Sequence, residues 1–140
     1  MTETAADLDV TALVAAARAA RDRAYAPYSG FAVGAALLTA DGSLVTAANV
    51  ENASYSLAIC AERAAVAAAV AAGHLEFKAI AVAGPGPEPV TPCGACRQVL
   101  RELPAGPALV VLAAGAEGDA LLRTTVGELL PHAFGPENLA

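Results

Sequence analysis

The spacing of apolar positions divides the chain into helical and extended stretches in near alternation. From Asp9 to Ala24, Val10, Leu13, Val14 and Ala17 share one face and Arg18, Arg21 and Asp22 lie mostly elsewhere, the pattern of an amphipathic helix. Asp7 and Asp9 suit a cap or the first turn, and Pro27 ends the run. Phe31 to Thr39 reads as a strand, Ala40-Asp41-Gly42-Ser43 as a hairpin turn, and Leu44 to Val50 as the antiparallel return. From Cys60 to Ala72 alanine dominates and Gly73 stands where a C-terminal cap belongs, which predicts a helix. Its central part has no polar side chain on any face, so burial all round is expected, with a neighbouring subunit helping to cover it.

Phe77 to Ala83 is a short apolar strand, and Gly84-Pro85-Gly86-Pro87-Glu88-Pro89 is a loop. Cys93 to Leu103 predicts a helix stopped by Pro104, followed by a strand from Ala108 to Ala113. That strand-helix-strand unit implies parallel pairing. A weaker strand near Leu121 to Thr124 and a short helix from Val126 to Leu130 complete an α/β fold, three layers with a mixed five-stranded sheet between helices. At 140 residues the chain suits one domain, residues 1–140.

Two polar segments interrupt the pattern. Tyr25-Ala26-Pro27-Tyr28-Ser29-Gly30-Phe31 holds three of the six tyrosines and phenylalanines and reads, on residues alone, as a packed connection. Glu51-Asn52-Ala53-Ser54-Tyr55 follows directly on an apolar strand and suits turn and cap chemistry as well as it suits binding.

Composition narrows the partners. Apolar residues make up 56% of the chain and the mean hydropathy is +0.53, more than one core of this size needs, which points to subunit interfaces. A formal charge of −6 argues against nucleic acid, whose binding relies on clustered lysine and arginine. The acidic first residues do not resemble a signal peptide and no apolar run has the length of a membrane span, so the cytoplasm is the expected compartment. Three cysteines in a reducing compartment favour thiols or a metal over disulfides.

Those cysteines stand in Cys60-Ala61-Glu62-Arg63 and Pro92-Cys93-Gly94-Ala95-Cys96. Three thiolates bind one zinc and leave a fourth tetrahedral position open, the mark of a catalytic site. Glu62 can then handle the protons of a water without ligating the metal. Cys60 and Glu62 diverge in mid-helix but can both serve a metal set before a helix N-terminus, where the backbone dipole also favours thiolates. Arg63 is a candidate to offset the negative charge of the sulfur cluster, and Arg97 directly follows Cys96. Two alternatives use the same cysteines. A structural zinc needs a fourth ligand, for which His132 and Glu62 are candidates while His74 lies too far from Cys60; a redox pair at Cys93 and Cys96 leaves Cys60 and Glu62 without a task.

With Cys-Ala-Glu-Arg and Pro-Cys-Gly-Ala-Cys-Arg-Gln in hand, the chain resembles the small, homotetrameric, zinc-dependent cytidine deaminases. The likeness extends through Ala24 to Gly34, Asn49 to Tyr55 and Leu129 to Phe134. It implies one zinc per chain on Cys60, Cys93 and Cys96, and hydrolytic attack at C4 of cytosine with Glu62 as the proton carrier. It also implies that Asn49 and Glu51 bond the ribose, with Asn52 and Ala53 beside them. By the same likeness Phe31 would pack in the pocket, the Ala61 backbone would meet the base, and the Thr91 backbone would lie near the leaving amine. Tyr55 and Phe134 would reach a neighbouring subunit's pocket, and Gln98 would orient the ligand loop. Ala64 departs from the threonine common in such proteins, which bears on packing and not on chemistry. An enzymatic rival is a blasticidin S deaminase-like aminohydrolase; the non-enzyme rival is a zinc-stabilised or redox-active interaction module.

Overall fold

The computed structural model describes residues 8–140, so Asp7, expected in a capping role, lies outside the described residues. The elements run α1 (Val10–Ala20), β1 (Gly34–Thr39), β2 (Leu44–Ala48), α2 (Ala61–Ala71), β3 (Phe77–Ala83), α3 (Gly94–Glu102), β4 (Val110–Ala114), β5 (Leu121–Thr125) and α4 (Val126–Leu129). The five strands form one sheet in the order β2-β1-β3-β4-β5. β3 and β4 are parallel, as the strand-helix-strand unit implies, and the other pairs are antiparallel.

Alternation along the strands separates two cores. Ala35, Leu37, Ile80, Val82 and Val111 meet Ala61, Ala65, Val66 and Ala69 of α2, Leu100 of α3 and Val126 of α4. Ala36, Ala79, Ala81, Ala83 and Leu112 point the other way, onto Leu13 and Ala17 of α1. The sheet is thus covered by α1 on one face and by α2, α3 and α4 on the other. Small side chains under α1 let it lie close: a Cβ on Gly34 would strike the Ala17 carbonyl oxygen and sit 2.8 Å from the Arg21 nitrogen.

β4 starts at Val110 and not Ala108 because a 3-10 turn takes Gly106–Ala108, and three boundaries around Asn49 are also shorter than the periodicity predicts. α1 stops at Ala20, passes through a 3-10 turn at Arg21–Arg23 and becomes extended at Ala24, before Pro27 is reached. The Tyr25 backbone is taken instead by the sheet margin, accepting from Glu51 N at 2.8 Å and donating to Asn49 O at 2.9 Å. β1 starts at Gly34 and not Phe31 because the Asn49 side chain holds that stretch: it accepts from Val33 N and donates to Phe31 O, both at 2.9 Å. β2 correspondingly ends at Ala48. On α2 the chain leaves bare the part that a neighbouring subunit was expected to help cover. Ala61, Glu62, Ala65, Val66 and Ala69 are buried, whereas Ala67, Ala68, Val70 and Ala71 are exposed, so a helix expected to be buried all round is covered by its own chain on one face only.

The β1–β2 hairpin has its expected turn, with Gly42 at φ 90°. Asp41 accepts from the Thr39 hydroxyl at 2.5 Å and the Ser43 amide at 3.0 Å, and the Thr39 bond first, then Ser43, lowers its pKa from 3.8 to about 2. A carboxylate depressed on folding contributes stability that is complete above its unfolded value and lost as pH falls through the folded one. The melting advantage of wild type over Asp41→Asn should therefore be greatest near neutrality and shrink between about pH 4 and pH 2. Paired thermal melts across that range test this; a pH-independent difference would contradict it.

Candidate active site

β1 runs antiparallel to both of its neighbours, so β2 and β3 point the same way, and Gly34 pairs with their last residues, Ala48 and Ala83. The chain leaves both strands at one end of the sheet, and each exit leads to a cysteine that begins a helix. Cys60 is the N-cap residue of α2 and Cys93 that of α3, both with extended backbone and neither with its side chain capping its own helix. Cys96 lies in the first turn of α3 and is fully buried.

The three sulfurs converge. Sγ of Cys93 is 3.9 Å from that of Cys60 and 3.5 Å from that of Cys96, and all three lie within 4.8 Å of one another. A tetrahedral zinc at about 2.3 Å from each sulfur would place them about 3.8 Å apart, so the donor set fits that metal. No histidine or carboxylate is grouped with the three sulfurs among the described residues, His132 included, and Glu62 touches the cluster through a hydrogen bond with Cys96. Beside the sulfurs is a cavity of about 190 Å³ lined by Phe31, Val33, Asn49, Cys60, Ala61, Glu62, Val90, Thr91 and Cys93.

The model of the cytidine and deoxycytidylate deaminase zinc-binding region matches residues 9–113. The chain belongs to this deaminase family. It is 47% identical to cytidine deaminase of Sporosarcina psychrophila over 133 residues, 95% of this chain and 96% of that one. With cytidine deaminase of Halalkalibacterium halodurans the identity is 48% over 132 residues, 94% and 98% of the two chains. The crystal structure of cytidine deaminase from Burkholderia pseudomallei superposes with a TM-score of 0.86 at 53% identity, covering 91% of this chain and 100% of the other.

Within this deaminase scaffold the protons are unequally held. The Cys96 thiol, followed by Arg63, hydrogen-bonds to Cys60 and draws its pKa from 9.0 to about 5 despite burial. Cys96 is pushed up, first as the donor to Cys60 and then by burial. Arg63 reaches Cys60 Sγ with Nη2 at 3.5 Å and the Ala58 carbonyl at 3.4 Å, so its charge lies beside a sulfur of the cluster. Glu62 is 4% exposed, and burial first, with the Cys60 charge adding to it, raises its carboxyl above the ordinary 4.5. A carboxyl whose burial raises its proton affinity suits proton transfer.

Of the remaining expected residues, Phe31, Asn49 and Ala61 line the sulfur-side cavity, and Glu51, Asn52 and Tyr55 line a second cavity of about 300 Å³ with Tyr28, Ser29 and Ala58. Asn52 also accepts from Ser54 N at 2.8 Å. Ala53 and Phe134 line neither cavity, and Phe134 is 59% exposed. Gln98, expected to orient the ligand loop, donates instead to the Phe134 carbonyl at 2.9 Å. Arg97 holds that loop, donating to Pro92 O at 2.7 Å and Thr91 Oγ1 at 3.2 Å. A helical residue points about 100° away from the next, so Arg97 and Gln98 serve different neighbours.

Ser29 is a residue that sequence reasoning left in a connection. Its hydroxyl donates to Glu51 Oε2 and accepts from Phe31 N at 2.9 Å, while Glu51 Oε1 accepts from Tyr28 N at 2.9 Å and Ser29 N at 3.2 Å. The Ser29 bond is the leading cause of a lowered Glu51 pKa. The only signal for it was a serine in a turn, four residues after Tyr25.

Proposed function

We propose that the chain hydrolyses cytidine and 2′-deoxycytidine to uridine and 2′-deoxyuridine with release of ammonia, holding one zinc on Cys60, Cys93 and Cys96. The observation that carries this reading is a three-sulfur cluster, open on its fourth side, next to a buried carboxyl in a cavity of about 190 Å³. Bound there, zinc would supply the Lewis acidity that makes a water nucleophilic at neutral pH. Glu62 takes the proton of that water, delivers it to N3 of the base and then assists the departing amine; its raised proton affinity lets it hold the proton between transfers. Arg63 offsets charge on Cys60. The N–H of Ala61, the first residue of α2, has no partner within the helix and is available to the base, whereas the Glu62 N–H is taken by that residue's own carboxylate.

The ribose contacts follow from bond counting. A carboxylate accepts about four hydrogen bonds, and Glu51 already takes three, so one site on Oε2 remains for a sugar hydroxyl. Asn49 donates one of its two amide hydrogens to Phe31 O, which leaves the other. Phe31, which lines the cavity, supplies an apolar wall.

Among the described residues, neither cavity is lined by lysine, arginine or histidine, and the larger has Glu51 on its wall. A nucleotide phosphate there would lose its hydration with no cationic partner, which favours the nucleoside over deoxycytidylate. Tyr55, 77% exposed, Phe134 and the bare face of α2 support a homotetramer in which neighbouring subunits complete each pocket. No helix among the described residues is long and apolar enough to cross a membrane. An ultraviolet deamination screen over cytidine, 2′-deoxycytidine, deoxycytidylate, cytosine and blasticidin S tests the reading, alongside metal content and light scattering. Turnover of both nucleosides with little of the nucleotide is expected. Preference for blasticidin S would favour the rival aminohydrolase, and tight zinc without deamination would favour a zinc-stabilised module.

A further inference from the structure

The end of α4 and the segment after it are fastened to α3 by side chains that the deamination chemistry does not use. Arg97 donates to Leu129 O at 2.7 Å, Gln98 to Phe134 O at 2.9 Å, and Arg101 to Glu137 Oε1 at 2.5 Å. Gln98 and Arg101 are three apart and so adjacent on the helix surface. Between the first and second fastenings the chain reverses at His132, whose φ of 54° makes it the one non-glycine residue in the left-handed region among those described. Between the second and third, Gly135 lies against the ion pair: a Cβ there would be 2.7 Å from Arg101 Nη1 and 2.6 Å from Glu137 Oε2. Gly135 N donates to Asn138 Oδ1 at 2.9 Å, closing the 3-10 turn at Pro136–Asn138.

All of this fixes the backbone on either side of Phe134 while its ring stays 59% exposed. A phenylalanine contributes to folding by leaving water, and this one does not. The Arg101 side chain is 13% exposed and Glu137 55%, so the pair is partly screened and adds little to stability, though it restricts geometry.

We propose that Arg101 and Glu137 are positioning residues that set the pose in which the Phe134 ring enters a neighbouring subunit's pocket. The proposal rests on the reading of Phe134 given above. A ring held in place meets substrate without first being ordered, and loss of the latch charges that ordering against binding. The effect therefore belongs in KM and not in the chemical step.

The test is a double-mutant cycle on the zinc-loaded protein. Arg101→Met should raise KM for cytidine by about 10-fold with kcat within about twofold, while Arg101→Lys keeps most of the wild-type KM. Gly135→Ala should reproduce the Arg101→Met effect with both charges present, because the methyl group displaces the ion pair. On a Phe134→Ala background Arg101→Met should add nothing, the signature of two residues acting through one contact. Glu137→Gln provides the same comparison if Arg101→Met folds poorly, with zinc content and melting temperature as controls. Additive effects of Arg101→Met and Phe134→Ala, or an unchanged KM in both latch variants, would overturn the latch alone. Insensitivity to Phe134→Ala would remove the aromatic's role and the latch with it, and a wild-type chain inert toward cytidine would remove the proposed function as well.

Discussion

Glu62→Gln is expected to lose about 10²–10⁴-fold in kcat for cytidine while keeping its zinc. Glutamine has the shape of the side chain it replaces, so the buried packing of residue 62 is retained. What disappears is a group that can both take and return a proton. Since the residue stands outside the sulfur cluster, metal content should stay near one per chain. The stability sign is also determined. A carboxyl whose pKa is raised in the fold binds its proton more tightly there than in the unfolded chain, so its ionised form weighs against the fold as pH climbs above 4.5. Replacing it by a neutral amide should not lower the melting temperature at neutral pH. Zinc analysis, spectrophotometric turnover and thermal melts on one preparation check all three points; loss of the metal would make Glu62 a ligand and defeat the assignment.

The second large effect is removal of the metal. Cys96→Ala takes away the most buried of the three sulfurs and should weaken zinc binding by more than about 100-fold, beyond what changes outside the ligand set cost. Turnover should disappear with the metal. Chelation of wild type should give the same loss, reversible on adding zinc, with far-ultraviolet circular dichroism essentially unchanged. The reason for the last point is that the two hydrophobic clusters on either side of the sheet hold without the sulfurs. A catalytic site with three protein ligands differs here from a zinc module, whose folding free energy is the metal's. Unfolding on chelation would support the module.

The elements were legible because burial on one side leaves a period of about 3.6 or 2 in the chain itself. The alternation that separates Ile80 and Val82 from Ala79, Ala81 and Ala83 agrees with that pattern. Boundaries were less legible where side chains replace backbone partners. Asn49 takes the hydrogen bonds of Phe31 and Val33, and Tyr25 is drawn to the sheet margin; neither leaves a mark in apolar spacing. Alanine carries little information about direction, so the spacing along α2 does not say which face its own chain covers and which it leaves bare.

The sequence by itself determined the donor set: three cysteines, one carboxylate two residues from the first, and an arginine next to that, each named by its chemistry whatever its neighbours. It also determined that helices follow Cys60 and Cys93, because local spacing and caps suffice for that. Only the tertiary structure decided that the two helix starts meet, since this depends on β2 and β3 both ending beside Gly34, a matter of long-range register. It likewise decided which polar groups serve the scaffold. Glu51 is mostly occupied by the Tyr28–Ser29 turn, Arg97 reaches the Leu129 carbonyl of α4, and Gln98 and Arg101 hold the segment that carries Phe134. Hydrogen bonds between residues some 20 to 40 positions apart follow from where the chain returns, and one-dimensional periodicity does not record that return.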